Sequence, residues 1–151
     1  MILNSLLYFM IGYLIVTGIA SLHFLVNWKI RGQEGFDATL GIKALKVNAT
    51  QLEAFKTTKP FHPIYNILIF PFISVWMMKN FPSMPSFMTA IGISVLWIVY
   101  SLVLDSLCWV ILPHPWRLTA KELFITDQPG ITLAYGAIFI SPIAAFMYLL
   151  L

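Results

Sequence analysis

Charge is scarce in this sequence: 10% of its 151 residues are Asp, Glu, Lys or Arg, where soluble domains carry about 25%. A water-soluble core needs a polar coat, and there is too little here to supply one. Cysteine is nearly absent too. The single Cys108 excludes an intramolecular disulfide framework and a dithiol relay, and within an apolar run it reads as a small hydrophobe. No CxxC pair, glycine-rich phosphate loop or GxSxG serine elbow occurs, so the common local signatures of redox, nucleotide and acyl-transfer chemistry are missing. Internal repeats and low-complexity segments are also lacking.

What the sequence has instead is apolar length. Hydrophobic residues make up 60% of it, with a mean hydropathy of +0.86. About 20 apolar residues cross the hydrocarbon as a helix, and helices satisfy their own backbone in lipid as an open sheet edge cannot. Four segments meet or approach that length: about 2–28, 61–78, 86–112 and 130–151. The expectation is an all-α membrane protein, a single integral membrane domain over 1–151 with four transmembrane helices in an up-down bundle. The first run lacks the basic start of a cleaved signal, and Lys29 and Arg31 follow it, so it is expected to remain as an anchor.

Eight of the nine basic residues fall in the loops between spans one and two and between spans three and four; only Lys79 lies in the middle connection. The positive-inside rule then puts those two loops in the cytoplasm and both termini outside, as a multi-pass protein of the plasma (inner) membrane. Trp28 and Trp116 suit the inner aromatic belt, and Trp76 and Phe81 the outer one. The net charge of +3 is assigned to loops facing anionic lipid, with no nucleic-acid partner.

Within the first loop, Ile42, Leu45, Ala49, Leu52 and Phe55 share one face at a period near 3.6, with Lys43, Lys46, Glu53 and Lys56 elsewhere. This predicts an interfacial amphipathic helix, apolar face toward lipid, or packed on the bundle instead. Asn48 is a possible cap that would split it in two. In the second loop, Thr119 and Glu122 form a capping box that starts a short helix through Thr126. Asp127 before Pro129 resembles the start of span four. There, Ala137, Ser141 and Ala145 recur every four residues, a stripe that lets helices pack closely. Ala90 and Ser94 repeat it briefly in span three.

Chemistry has few candidates. Asp105 lies eight residues before Pro113, about 12 Å inside the membrane boundary at 1.5 Å per residue. An acid there is costly unless paired, protonated or hydrated. It is expected to face other helices, as an ion or proton site, an acid/base group, or a structural carboxyl bonded to Ser101, Ser106 or Tyr100. His62 and His114 are further catalytic candidates. With His23 and Asp105 they form a weakly signalled metal site, imidazole and carboxylate both suiting zinc. For His62 a helix start ahead of Pro63, and for His114 the end of span three, explain the residue without chemistry. Arg31, Lys56, Lys59, Arg117 and Lys121 could gather a lipid headgroup or another anion, although orientation alone accounts for them. No cofactor is indicated.

Three functions remain open. The first is an accessory subunit that docks a protein partner or another copy through its helices. The second is a small transporter or channel with Asp105 as its intramembrane polar centre. The third is an enzyme acting on lipid at the inner leaflet.

Overall fold

The computed structural model describes residues 2–31, 49–113 and 118–151. The expected amphipathic face at Ile42 and Leu45, with Lys43, Lys46 and Asn48, lies outside these residues, as do His114, Trp116 and Arg117. The described residues form helices and turns with no strand: α1 Ile2–Arg31, α2 Ala49–Thr58, α3 His62–Lys79, α4 Phe87–Asp105 and α5 Gly130–Leu149. Four stretches are long and apolar enough to cross a membrane: Leu3–Ile30, Ala54–Lys79, Phe87–Ile111 and Gly130–Leu149.

The second stretch starts earlier than the apolar run beginning at Phe61. A 3₁₀ turn, Lys59–Phe61, joins α2 to α3 without an intervening loop. The polar Thr57, Thr58 and Lys59 interrupt the hydrophobic run but leave the chain helical. Where its side chains are described, α2 packs on α1: Ala54 and Thr58 are buried, and Asn27 Nδ2 donates to Thr58 Oγ1 at 3.0 Å.

Helix α4 begins where Ser86 caps it, its Oγ accepting from the Thr89 amide at 3.1 Å. Past Asp105 it widens into a π-helical turn, Ser106–Ile111. Farther along the chain, the Leu118 amide donates to Trp109 O at 2.8 Å. The capping box forms as its spacing predicts: the Glu122 amide donates to Thr119 Oγ1 at 3.1 Å, and the Thr119 amide donates to Glu122 Oε2 at 2.7 Å. The turn it opens, Glu122–Thr126, is π-helical.

Each spanning helix buries one stripe. In α1 it runs through Ser5, Phe9, Gly12, Val16 and Ala20, the three- and four-residue recurrence that keeps side chains on one face. In α4 it is Ala90, Ile93, Ser94, Trp97 and Ser101. Large apolar side chains elsewhere stay exposed, among them Leu3, Phe72 and Met88 at about three-quarters of their full surface. A soluble monomer seldom exposes such contiguous apolar surface; hydrocarbon is the solvent that suits it.

Toward the Ser5 end the interior is solid and aromatic. Phe9, Phe70 and Trp97 are fully buried, with ring centroids 5.5–6.0 Å apart. Trp97 Nε1 donates to Ser5 Oγ at 3.0 Å and to Ser5 O at 3.2 Å. Gly12 lies in tight contact: a Cβ there would stand 3.1 Å from Phe70 Cε1, so the ring would have to give by a few tenths of an ångström.

Candidate functional site

Toward the other end the same helices separate. A cavity of about 420 Å³ is bounded by α1, the α2–α3 junction, α4, the Glu122–Thr126 turn and α5. Most of its wall is apolar, with Val16, Phe24, Leu25, Phe55, Trp109 and Ile138 contributing. Each helix also adds polar groups: Thr17 and Ser21 from α1, Thr58 from α2, His62 and Asn66 from α3, Ser101 and Asp105 from α4, and Tyr135 from α5.

Asp105 is the last residue of α4 before the π-helical turn. Tyr13 Oη on α1 donates to Asp105 Oδ1 at 2.8 Å, and Tyr135 Oη on α5 donates to Oδ2, also at 2.8 Å. A carboxylate near mid-membrane costs roughly 2.5–3.5 kcal/mol by insertion scales. Hydrogen bonds to a charged group return about 1.5–3 kcal/mol each. Two phenols therefore suffice to hold the acid here, without a counterion. They leave lone pairs to spare, because a carboxylate accepts about four hydrogen bonds, and the residue borders the cavity.

The local partners expected from spacing do not take part. Ser101 donates to Trp97 O at 2.9 Å, the back-bond to the preceding turn open to any helical serine. Tyr13 and Tyr135 lie 92 and 30 residues from Asp105, out of reach of local spacing. A trace was present: both phenols fall within the apolar runs rather than at the belts where tyrosine normally collects.

Asp127 stands just ahead of α5, as its place before Pro129 suggests, with its carbonyl accepting from the Ile131 amide at 3.2 Å. Its side chain does not cap α5; it pairs with Lys59 across 68 residues, joining the α2–α3 junction to the start of α5 at the cavity wall. Lys59, one of the residues expected to gather an anion, is engaged in this pair. Of the others, Lys56 and Lys121 are exposed, Arg31 ends α1, and Arg117 is outside the described residues. His62 opens α3 and lines the cavity, its carbonyl accepting from Asn66 Nδ2 at 2.8 Å. His23 Nδ1 shares a hydrogen bond with the Tyr65 hydroxyl. Among the described residues no group of three metal-ligating side chains comes together.

The stripe on α5 is used within the chain. Ser141 and Ala145 are buried, and Ser141 Oγ donates to Ala137 O at 2.6 Å. The face is turned toward α3 and α4, the helices on which α5 chiefly packs.

Comparison with family models, with curated proteins and with solved structures finds no match to this chain.

Proposed function

We propose that this protein belongs to the transporter or channel class, a four-span membrane bundle that takes a small molecule or ion into its intramembrane cavity with Asp105 as the polar centre. One observation carries the reading: a carboxyl held by phenols from two other helices borders a cavity of about 420 Å³, within the roughly 300–1,000 Å³ usual for small-molecule sites. A purely structural carboxyl has no need of adjoining space. This reading ranks ahead of the accessory subunit, because the α5 face suited to a partner is buried inside the chain.

The helices alternate in direction in this proposal. Ser5 meets Trp97 and Tyr13 meets Asp105, so α1 and α4 run alike; Phe146 meets Phe87 and Tyr135 meets Asp105, so α5 opposes α4. The cavity end carries the basic connections and faces the cytoplasm of a plasma (inner) membrane, with both termini outside.

The test is mass spectrometry of the small molecules released from purified protein. A compound should accompany the wild type and be lost from Asp105→Asn and from the cavity-filling Ala134→Phe, with both variants folded. Bulk lipid alone, released equally by all three, would overturn the proposal.

A further inference from the structure

The chemistry of the wall narrows the ligand. Lysine and carboxylate side chains lining the cavity are Lys59, Asp105 and Asp127. Lys59 and Asp127 neutralise each other as an ion pair, which leaves one carboxylate in excess. Among the described residues the hydrogen-bond donors to Asp105 are two neutral phenols. Beside it stand the rings of Tyr13 and Tyr135, and those of Phe24, Phe55 and Trp109 also line the cavity. Aromatic faces attract cations, by about 0.5–1 kcal/mol when exposed and about 2 kcal/mol or more when desolvated. The rest of the wall is aliphatic apart from the uncharged hydroxyl and amide groups of Thr17, Ser21, Thr58, Asn66 and Ser101 and the imidazole of His62. We infer that the cavity binds a monovalent organic cation with an apolar body, its charge against Asp105 and its body along the aromatic and aliphatic wall.

The alternatives match the wall less well. An anion would meet Asp105, and the one lysine lining the cavity is already engaged by Asp127. A bare metal ion lacks ligands, since no third metal-ligating side chain joins any pair among the described residues. A neutral apolar molecule would fill the space but make no use of the lone pairs that Asp105 leaves free beside the cavity.

This inference rests on the cavity being a ligand site, and its test keeps the two apart. Benzyltrimethylammonium, whose charge cannot be lost as a proton, is compared with its uncharged carbon analogue neopentylbenzene and with benzenesulfonate. Binding to the full-length protein in nanodiscs is measured by equilibrium dialysis and tryptophan fluorescence, with empty nanodiscs as the blank. Saturable binding of the ammonium is expected, at least tenfold tighter than either comparator. Asp105→Asn should weaken it at least tenfold, and Lys56→Ala, exposed and off the cavity wall, should not change it. The comparison among probes uses only wild-type protein, so it stands even if Asp105→Asn fails to fold. Equal or tighter binding of the neutral or anionic probe overturns the inference, and so does no ammonium binding at all. If the wild type then still releases a compound that Asp105→Asn lacks, only the ligand class is wrong. If it releases none, the cavity reading falls with it.

Discussion

The two ends of this protein use the same four helices in opposite ways. Toward Ser5 the buried stripes close on one another around Phe9, Phe70 and Trp97, and the main polar event is the indole bonding to Ser5. Toward Asp105 they stand apart around a cavity, and their polar groups bond across helices. In lipid, association gains little from hydrophobicity and depends on close packing and interhelical hydrogen bonds. The Ser5 end supplies the packing; the other end, which lacks it, relies on hydrogen bonds and one ion pair. The division implies that stability resides mainly at the first end, and the proposed function places ligand chemistry at the second.

Trp97→Ala should produce the largest effect. It removes a fully buried indole together with its bond to Ser5, and large aromatic truncations in cores cost about 3–5 kcal/mol. Denaturation in micelles should show a loss of that order, while Trp109→Ala at the cavity wall costs markedly less. Equal losses would erase the contrast between the ends.

Gly12→Leu comes next. A Cβ at this position already crowds Phe70 at 3.1 Å, so a larger side chain must separate α1 from α3. Overpacking of this kind costs about 1–3 kcal/mol. The same change at Gly18, where a Cβ meets nothing within 4 Å, should be nearly neutral, and a cost there matching Gly12 would refute the packing argument.

These differences show what a single sequence can and cannot disclose. Four apolar runs, the capping box at Thr119 and Glu122, and the small stripe of α5 are local patterns, and each reads directly. The start of the second span does not, because Thr58 and Lys59 look like loop in an apolar scan. In the fold they line the cavity of a continuing helical stretch. Asp105 stands out as the one charge within its span, but its partners belong to other helices. Spacing within α4 offered only Tyr100, Ser101 and Ser106, and the carboxyl reaches past them to Tyr13 and Tyr135. The Lys59–Asp127 pair is hidden for the same reason, its members being 68 residues apart. The α5 stripe announces close packing without saying whether the neighbour is the same chain.

Lys59→Ala tests the cavity end with a smaller effect. Lys59 is about one-third exposed and Asp127 is nearly buried, and partly exposed ion pairs contribute roughly 0.2–1 kcal/mol. A loss within that range is expected, less than for Gly12→Leu. Asp127→Ala in the Lys59→Ala background should add little, since each partner's cost lies in leaving the other unpaired. Fully additive losses would mean that the two side chains act independently.

Asp105→Asn should have the smallest effect on stability. The amide oxygen still accepts from one tyrosine, and the amide N–H can donate to the hydroxyl oxygen of the other, so both links across α1, α4 and α5 can persist. Each link loses about 1 kcal/mol in passing from a charged to a neutral bond. Against that, the variant no longer holds a carboxylate in the membrane, whose cost is roughly 2.5–3.5 kcal/mol. The opposing contributions nearly cancel, and the midpoint of unfolding should stay within about 1 kcal/mol of wild type. Asp105→Leu fits similar space but strips both phenols of their acceptor, and buried donors without partners cost about 1–3 kcal/mol each. Asn should therefore be tolerated and Leu should not, the reverse of what an apolar packing position would show. If Asn instead destabilises as strongly as Trp97→Ala, the carboxylate is a structural keystone and the two ends share one role.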